Sequence, residues 1–252
     1  MAGFDQASPR SASGRPFVCA HRGFPEEPGE ENTLKAFQRA IALGCDLVEL
    51  DVRCTRDGQL VVFHDDCLSK SRISELDRAG LDRLAAVAGM EIPSLEESFR
   101  IMAGRVRLDI EIKRAGFEVP LVELARRLLP PNGYFFSSFH FGVLRSIHAI
   151  APEEPLGWII GRQNFAAFLR RRRELLAPAG VDRSLPVRFL VPHRFFLSPR
   201  MLSQCAKAGV GVIPWTVNEP AEMVRLAKAG AWGLITDRPD LAMWELRQEP
   251  RA

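Results

Sequence analysis

The stretch FVCAHRGFPEEPGEENTLKAFQRAIALGCDLVELDVRCTRDGQLVVFHD, residues 17–65, decides the architecture. Residues 17–20 form a short apolar run of strand type, and residues 33–43 read as a helix that stops at Gly44. A glycine there suits the left-handed conformation of a helix C-cap. A second strand follows at 47–52, so the segment is strand, helix, strand, the unit of a parallel sheet wrapped by helices. Asp57-Gly58 then signals a hairpin, with a return strand at 60–63. A two-residue turn would pair Arg56 with Gln59 and, further along the ladder, Asp51 with His64, about 5 Å apart. A bulge in the turn would shift that register.

The alternation continues to the end of the chain. Strand-type runs lie at 106–112, 134–137, 156–160, 187–191, 210–214 and 232–235, and helical runs at 95–102, 119–129, 142–150, 165–176, 199–208 and 220–229. The related texts AKAGVGV and AKAGAWG mark two successive helix–Gly–strand units. A barrel closes with eight strands and nine are counted, so the hairpin strand 60–63 is the surplus one. The expected fold is α/β, a (β/α)₈ TIM barrel over residues 17–245 with only a short insertion after His64-Asp65. Residues 1–16 are small, polar and aperiodic, and read as a disordered arm.

With 46% hydrophobic and 26% charged residues, the 252-residue chain has ample material for one core. A net charge of +3 is too small to argue for nucleic acid. No apolar run is long enough to span a bilayer, and the N-terminus lacks the apolar segment of a secretory signal. The five cysteines are scattered, with neither metal-type pairing nor a disulfide framework, which points to a reducing cytoplasm.

Chemistry-bearing residues gather at the C-terminal ends of strands, where barrel enzymes keep their active sites. His21-Arg22 follows the first strand; Glu49 and Asp51, two apart, share one side of the second; His64 ends the hairpin strand; Glu111 and Lys113 end the next. Three converging carboxylates repel one another unless protonated or bridged by a cation, and hard oxygen ligands favour Mg²⁺, Ca²⁺ or Mn²⁺. Two histidines beside such a cation suit general acid and base work. Arg22 and Lys113 supply positive charge for a phosphate. Any one of these groups alone would pass for a salt-bridged or satisfied structural residue; their coincidence at several strand ends would not.

The text at 20–65, with the later IPSLEE, LDIEIK, FSSF, PWTVN and GLITDRPD in the same order, resembles the glycerophosphodiester phosphodiesterase family over roughly residues 17–240. The resemblance implies His21 and His64 as the acid/base pair, Glu49, Asp51 and Glu111 as ligands of the divalent cation, and Arg22 and Lys113 as phosphate or substrate contacts. Trp215 in PWTVN would line the pocket over the glycerol or head-group; as a strand-end aromatic it reads equally as core. Glu31 matches a family motif residue near the site, although Asn32 or Thr33 beside it suits a helix cap.

The family's usual insertion after the HD motif is short here and lacks an Arg-Thr-Thr-Gly-type stretch, so a more open mouth is expected. The implied substrate is a small glycerophosphodiester, cleaved to glycerol 3-phosphate and an alcohol. The alternative is a lysophospholipase D acting at a membrane surface, and a non-catalytic barrel module is a further one. Residues 165–176, with Arg170, Arg171, Arg172 and Arg173, read as a barrel helix with a solvated basic end, or else as a weak anionic-membrane contact.

Overall fold

The computed structural model describes residues 14–176 and 185–248. The strands are β1 (Phe17–Ala20), β2 (Leu47–Cys54), β3 (Leu60–Val62), β4 (Cys67–Leu68), β5 (Ser71–Arg72), β6 (Arg107–Ile112), β7 (Tyr134–Ser138), β8 (Leu156–Ile160), β9 (Phe189–Pro192), β10 (Gly211–Val212) and β11 (Gly233–Thr236). The α-helices are α1 (Leu34–Leu43), α2 (Arg78–Ala88), α3 (Leu95–Met102), α4 (Glu118–Leu128), α5 (Phe141–Ile150), α6 (Phe165–Leu175), α7 (Pro199–Lys207), α8 (Pro220–Lys228) and α9 (Pro239–Gln248). Parallel strands run in the order β10-β9-β8-β7-β6-β2-β1-β11, with β3 hanging off β2 as the surplus strand. The ends meet where Trp232 N donates to Val212 O (2.9 Å) and Ile235 N to Pro214 O (3.0 Å), and the eight-stranded barrel closes.

The helix ends follow from local chemistry. The Thr33 side chain accepts from Ala36 N to start α1, and Gly44 at φ 81° ends it. Ser94 and Glu97 form a reciprocal capping box on α3. Helix α2 and the small β4–β5 hairpin were not expected; they pack on β3 through a separate cluster of Val61, Leu68, Ile73, Leu81, Ala85 and Ile92. Helix α9, also unexpected, contributes Ala242, Met243 and Leu246 to a cluster with Val18 and Leu234.

The hairpin register differs from expectation by one residue. Val52 pairs with Val62 and Cys54 with Leu60, so Asp51 stands opposite Phe63, whose N–H donates to Asp51 O (2.9 Å), and not opposite His64. The cause is a three-residue loop: Gly58 N donates to Thr55 O (3.0 Å) and Gly58 sits at φ 82°, a type I turn closed by a left-handed glycine. The expected N-terminal arm, residues 1–16, falls mostly outside the described residues. Arg15, which is described, is anchored, Nη1 donating to Asp46 Oδ2 (2.6 Å).

Inside the barrel, Phe17, Leu47, Phe135 and Phe189 pack with Cys19, Ile159, Val191, Ile213 and Ile235. Large and small residues alternate across neighbouring strands: Gly157 pairs in register with Phe189, and Phe189 with Gly211. A Cβ on Gly157 would come 2.9 Å from Phe135 Cε2, and one on Gly211 2.8 Å from Phe189 Cδ1. Glycine here gives room for the rings. Gly157→Ala and Gly211→Ala are each expected to destabilise the fold by about 1–3 kcal/mol, the usual cost of overpacking, measured by urea unfolding; wild-type stability in both would refute this packing.

Candidate active site

The loop after β1 turns sharply so that its backbone serves the site. Arg22 sits at φ 56° and Gly23 at φ 85°, and a Cβ on Gly23 would lie 2.9 Å from backbone and side-chain atoms of Ala36. Only glycine lets the loop press against α1 this closely. Pulled in this way, Arg22 N donates to Glu49 Oε2 (2.9 Å), while the Arg22 Nε lies 3.2 Å from Asp51 Oδ2.

Glu49 and Asp51 on β2 and Glu111 on β6 bring carboxylate oxygens within 4.8 Å of one another, all three buried. The parallel register places Asp51 beside Glu111. Lys113 Nζ lies 2.7 Å from both Asp51 Oδ1 and Glu111 Oε1. Burial and then the charges of Asp51 and Glu111 hold the Glu49 carboxyl well above its ordinary range. Burial likewise pushes Glu111 up to about 7, even with Lys113 beside it. Burial works against Asp51 too, but Lys113 and Arg22 outweigh it and hold that carboxyl below its ordinary range. Glu49 Oε1 is buried with no hydrogen-bond partner among the described residues. A compact all-oxygen set with an unpartnered acceptor fits a hard divalent cation.

The two histidines stand at the rim of this cluster. His21 Nδ1 lies 2.6 Å from Asp237 Oδ1 and its Nε2 3.9 Å from Glu49 Oε2. A carboxylate only accepts, so Asp237 places the proton on Nδ1 and leaves Nε2 toward the carboxylates. Asp237 is itself held: Asn218 Nδ2 donates to its Oδ2 (2.7 Å), and its own N–H donates to Asn218 Oδ1 (2.9 Å). His64 Nδ1 lies 2.7 Å from Asp65 Oδ1, which favours the same tautomer. Burial and the Lys113 charge hold His64 below its ordinary pKa.

A cavity of about 230 Å³ opens over these groups. His21, Arg22, Glu49, His64, Asp109, Glu111 and Lys113 form one wall. Phe139, Trp215, Ile159, Val191, Ile235 and Gln163 form the other. Trp215 both packs and lines: its ring meets Phe139 edge-on at 5.5 Å, and its Nε1 donates to Val191 O (2.9 Å). No residue of the segment between Asp65 and Ile92 lines the cavity.

All eight residues expected from sequence therefore come together: seven line the cavity, and Asp51 supports it from beneath Arg22 and Lys113. Glu31 does not join them; it is exposed and accepts from Gly29 N (2.9 Å). Its neighbour Asn32 does. At φ 62° and buried, Asn32 donates from Nδ2 to Asp51 Oδ2 (2.8 Å) and accepts from Asp51 N (3.2 Å), while Thr33 takes the capping role. Sequence reasoning also missed Asp237, which ends β11 as the other site residues end theirs; the strand-end rule could have found it. It missed Arg53, whose Nε donates to His64 O (3.0 Å) and whose Nη1 donates to Asp66 Oδ1 (3.0 Å), tethering the His64 loop to β2. Asp109, one step deeper on β6, was missed as well; burial pushes its carboxyl up to about 8 and Ser137 Oγ donates to it.

The model of the glycerophosphoryl diester phosphodiesterase family matches residues 21–241. The chain belongs to that family. A glycerophosphodiester phosphodiesterase of Caldanaerobacter subterraneus is 33% identical over 88% of this chain and 94% of its own. Among solved structures, a phosphodiesterase of Oleispira antarctica in complex with the product sn-glycerol-3-phosphate superposes with a TM-score of 0.77 at 26% identity, covering 93% of this chain and 98% of its own. The glycerophosphodiester phosphodiesterase of Thermotoga maritima matches with a TM-score of 0.74 at 27% identity, covering 91% and 97%.

The cluster's electrostatics carry a stability consequence in this family member. Lys113→Met keeps the length of the side chain but takes from the buried carboxylates of Asp51 and Glu111 the ammonium that lies 2.7 Å from each. Unfolding in urea at pH 8 with chelator present should show a loss of about 3 kcal/mol, the scale for breaking a buried ion pair. An unchanged midpoint would contradict the pairing.

Proposed function

We propose that this protein hydrolyses glycerophosphodiesters to glycerol 3-phosphate and an alcohol such as choline or ethanolamine, in a reaction dependent on a divalent cation. The observation that carries the reading is the single cavity that holds two carboxylate-tethered imidazoles, a carboxylate triad and two basic side chains. Membership of the family and the product bound by the Oleispira relative support the same substrate class.

Glu49, Asp51 and Glu111 would hold Mg²⁺, Mn²⁺ or Ca²⁺, which when bound polarises phosphoryl oxygens and lowers the pKa of a coordinated hydroxyl. Arg22 and Lys113 reach the same phosphate from the Asp51 side and neutralise its charge. One histidine takes the proton of the attacking hydroxyl through Nε2, and the other gives a proton to the departing alkoxide as the phosphorus–oxygen bond breaks. Attack by water and attack by the substrate's own 2-hydroxyl, with later opening of a cyclic phosphate, use the same two transfers. Trp215 and Phe139 cover the carbon skeleton and keep bulk water from that wall.

The lysophospholipid reading ranks second. Its support is the wall free of capping residues, together with the basic helix α6. Against it, the aromatic residues of α6 are engaged in the barrel: Phe168 is buried, Phe165 stacks on Phe196 at 4.3 Å, and Arg171 covers the Phe141 ring at 4.4 Å. No helix among the described residues is long and apolar enough to cross a membrane. The five cysteines are free, and we assign the enzyme to a reducing cytoplasm.

Purified protein with Mg²⁺, Mn²⁺ or Ca²⁺ should release choline from glycerophosphocholine faster than from lysophosphatidylcholine, and EDTA should abolish both. His21→Ala and His64→Ala should each lower turnover by at least about 10²-fold, the scale of a general acid or base. The double variant should be little worse than either single one. Full activity after thorough chelation would sink the cation requirement, and near-wild-type turnover in either single variant would remove that histidine from the chemistry.

A further inference from the structure

The aromatic wall of the cavity contains one polar side chain that the reaction does not use. Gln163 lies in the loop between β8 and α6 and lines the cavity beside Phe139 and Trp215. Its amide makes no hydrogen bond to any described residue, although the loop that carries it is tightly determined. Asn164 fixes that loop on three sides: its Oδ1 accepts from Gly161 N (2.8 Å), and its Nδ2 donates to Phe139 O (2.9 Å) and Ile159 O (2.7 Å). The backbone is thus tied to the residue after β7 and to β8, which fixes the position from which the exposed Gln163 side chain reaches the cavity.

Gly161 completes the arrangement. A Cβ at that position would lie 2.6 Å from Gln163 Oε1 and 2.9 Å from Phe139 Cε1. The amide therefore folds back over a residue with no side chain, and it and the Phe139 ring both border the space that a side chain there would fill. The rest of this wall offers no competing donor, because Trp215 Nε1 is already committed to Val191 O. Ile159, Val191 and Ile235 are apolar, so a neutral polyol meets one polar group here, and that group both donates and accepts.

We propose that Gln163 is a specificity-determining residue that reads the free hydroxyls of the glycerol moiety, with Gly161 making room for it; this rests on the glycerophosphodiester reading above. A carboxylate or a bare aromatic face would suit an ammonium head-group, whereas a neutral amide matches vicinal hydroxyls. The phosphate stays with Arg22, Lys113 and the carboxylate side, and the carbon chain lies across toward Phe139.

The test is equilibrium binding by calorimetry in the presence of Mg²⁺, with two probes: sn-glycerol 3-phosphate and propyl phosphate, which has the same phosphate and chain length but no hydroxyls. Wild type should bind glycerol 3-phosphate more tightly. Gln163→Ala should weaken glycerol 3-phosphate about fivefold, the scale of one neutral hydrogen bond, and leave propyl phosphate unchanged. Gly161→Ala should reproduce the pattern by displacing the amide, and thermal melts of each variant check the fold. Equal weakening of both probes, or no change for glycerol 3-phosphate, would overturn the assignment of Gln163. Failure of wild type to bind either phosphate would instead count against the glycerophosphodiester reading itself.

Discussion

Three carboxylates within 4.8 Å in a buried barrel mouth repel one another, and much of the surrounding structure answers that repulsion. Lys113 is placed against two of them, the Arg22 side chain against one, and the Arg22 backbone N–H against the third. The compensation is incomplete. Burial and like charge still hold Glu49 and Glu111 above their ordinary ionisation range, and Glu49 Oε1 has no partner among the described residues. Apolar replacement of a buried ionic cluster is often neutral or stabilising, because the attraction between buried charges need not return their desolvation cost. The arrangement is intelligible as a site that reserves part of its stabilisation for a bound cation.

The barrel makes this possible by rigidity at the strand level and by strain in the loops. Parallel register sets Asp51 beside Glu111 and Glu49 beside Asp109, positions that no loop closure could hold as firmly. The left-handed residues Arg22, Gly23 and Asn32 then fold the β1–α1 loop down so that one backbone N–H and one side-chain amide meet the carboxylates. The histidines are tethered differently. Each has a carboxylate at Nδ1, and Arg53 anchors the backbone of the His64 loop to β2. Opposite them, an apolar and aromatic wall leaves the cavity chemically two-sided, suited to a substrate with a charged end and a neutral one.

Much of this was legible in the sequence because strands of period two carry their own orientation: Glu49 with Asp51, and Glu111 with Lys113, had to share a side. The hairpin register was less legible. Asp57-Gly58 correctly marked a turn, but the loop takes in Arg56 as well, and one extra residue shifts every cross-strand pair. Helix α2 escaped because only Leu81 and Ala85 are fully buried along it, so its apolar face is thin. Asn32 was read as a possible cap because its role depends on a left-handed backbone and on a contact with Asp51 across the chain. Neither has a local signature. Asp237 is the opposite case: its strand-end position was visible, and only its pairing with His21 required three dimensions.

The most direct test of the central claim is Mn²⁺ binding by calorimetry to wild type and to Glu49→Gln, with the thermal stability of both measured in chelator. The account predicts one equivalent per chain in wild type and a loss of affinity of at least about tenfold in the variant, the scale of altered metal-site ligation. It also predicts that chelated Glu49→Gln is as stable as wild type or more so, because burial and the neighbouring carboxylates oppose ionisation of Glu49 and a neutral amide removes that conflict. Unchanged Mn²⁺ affinity in the variant, or a clear loss of its stability in chelator, would contradict the claim that these carboxylates are held together for a cation.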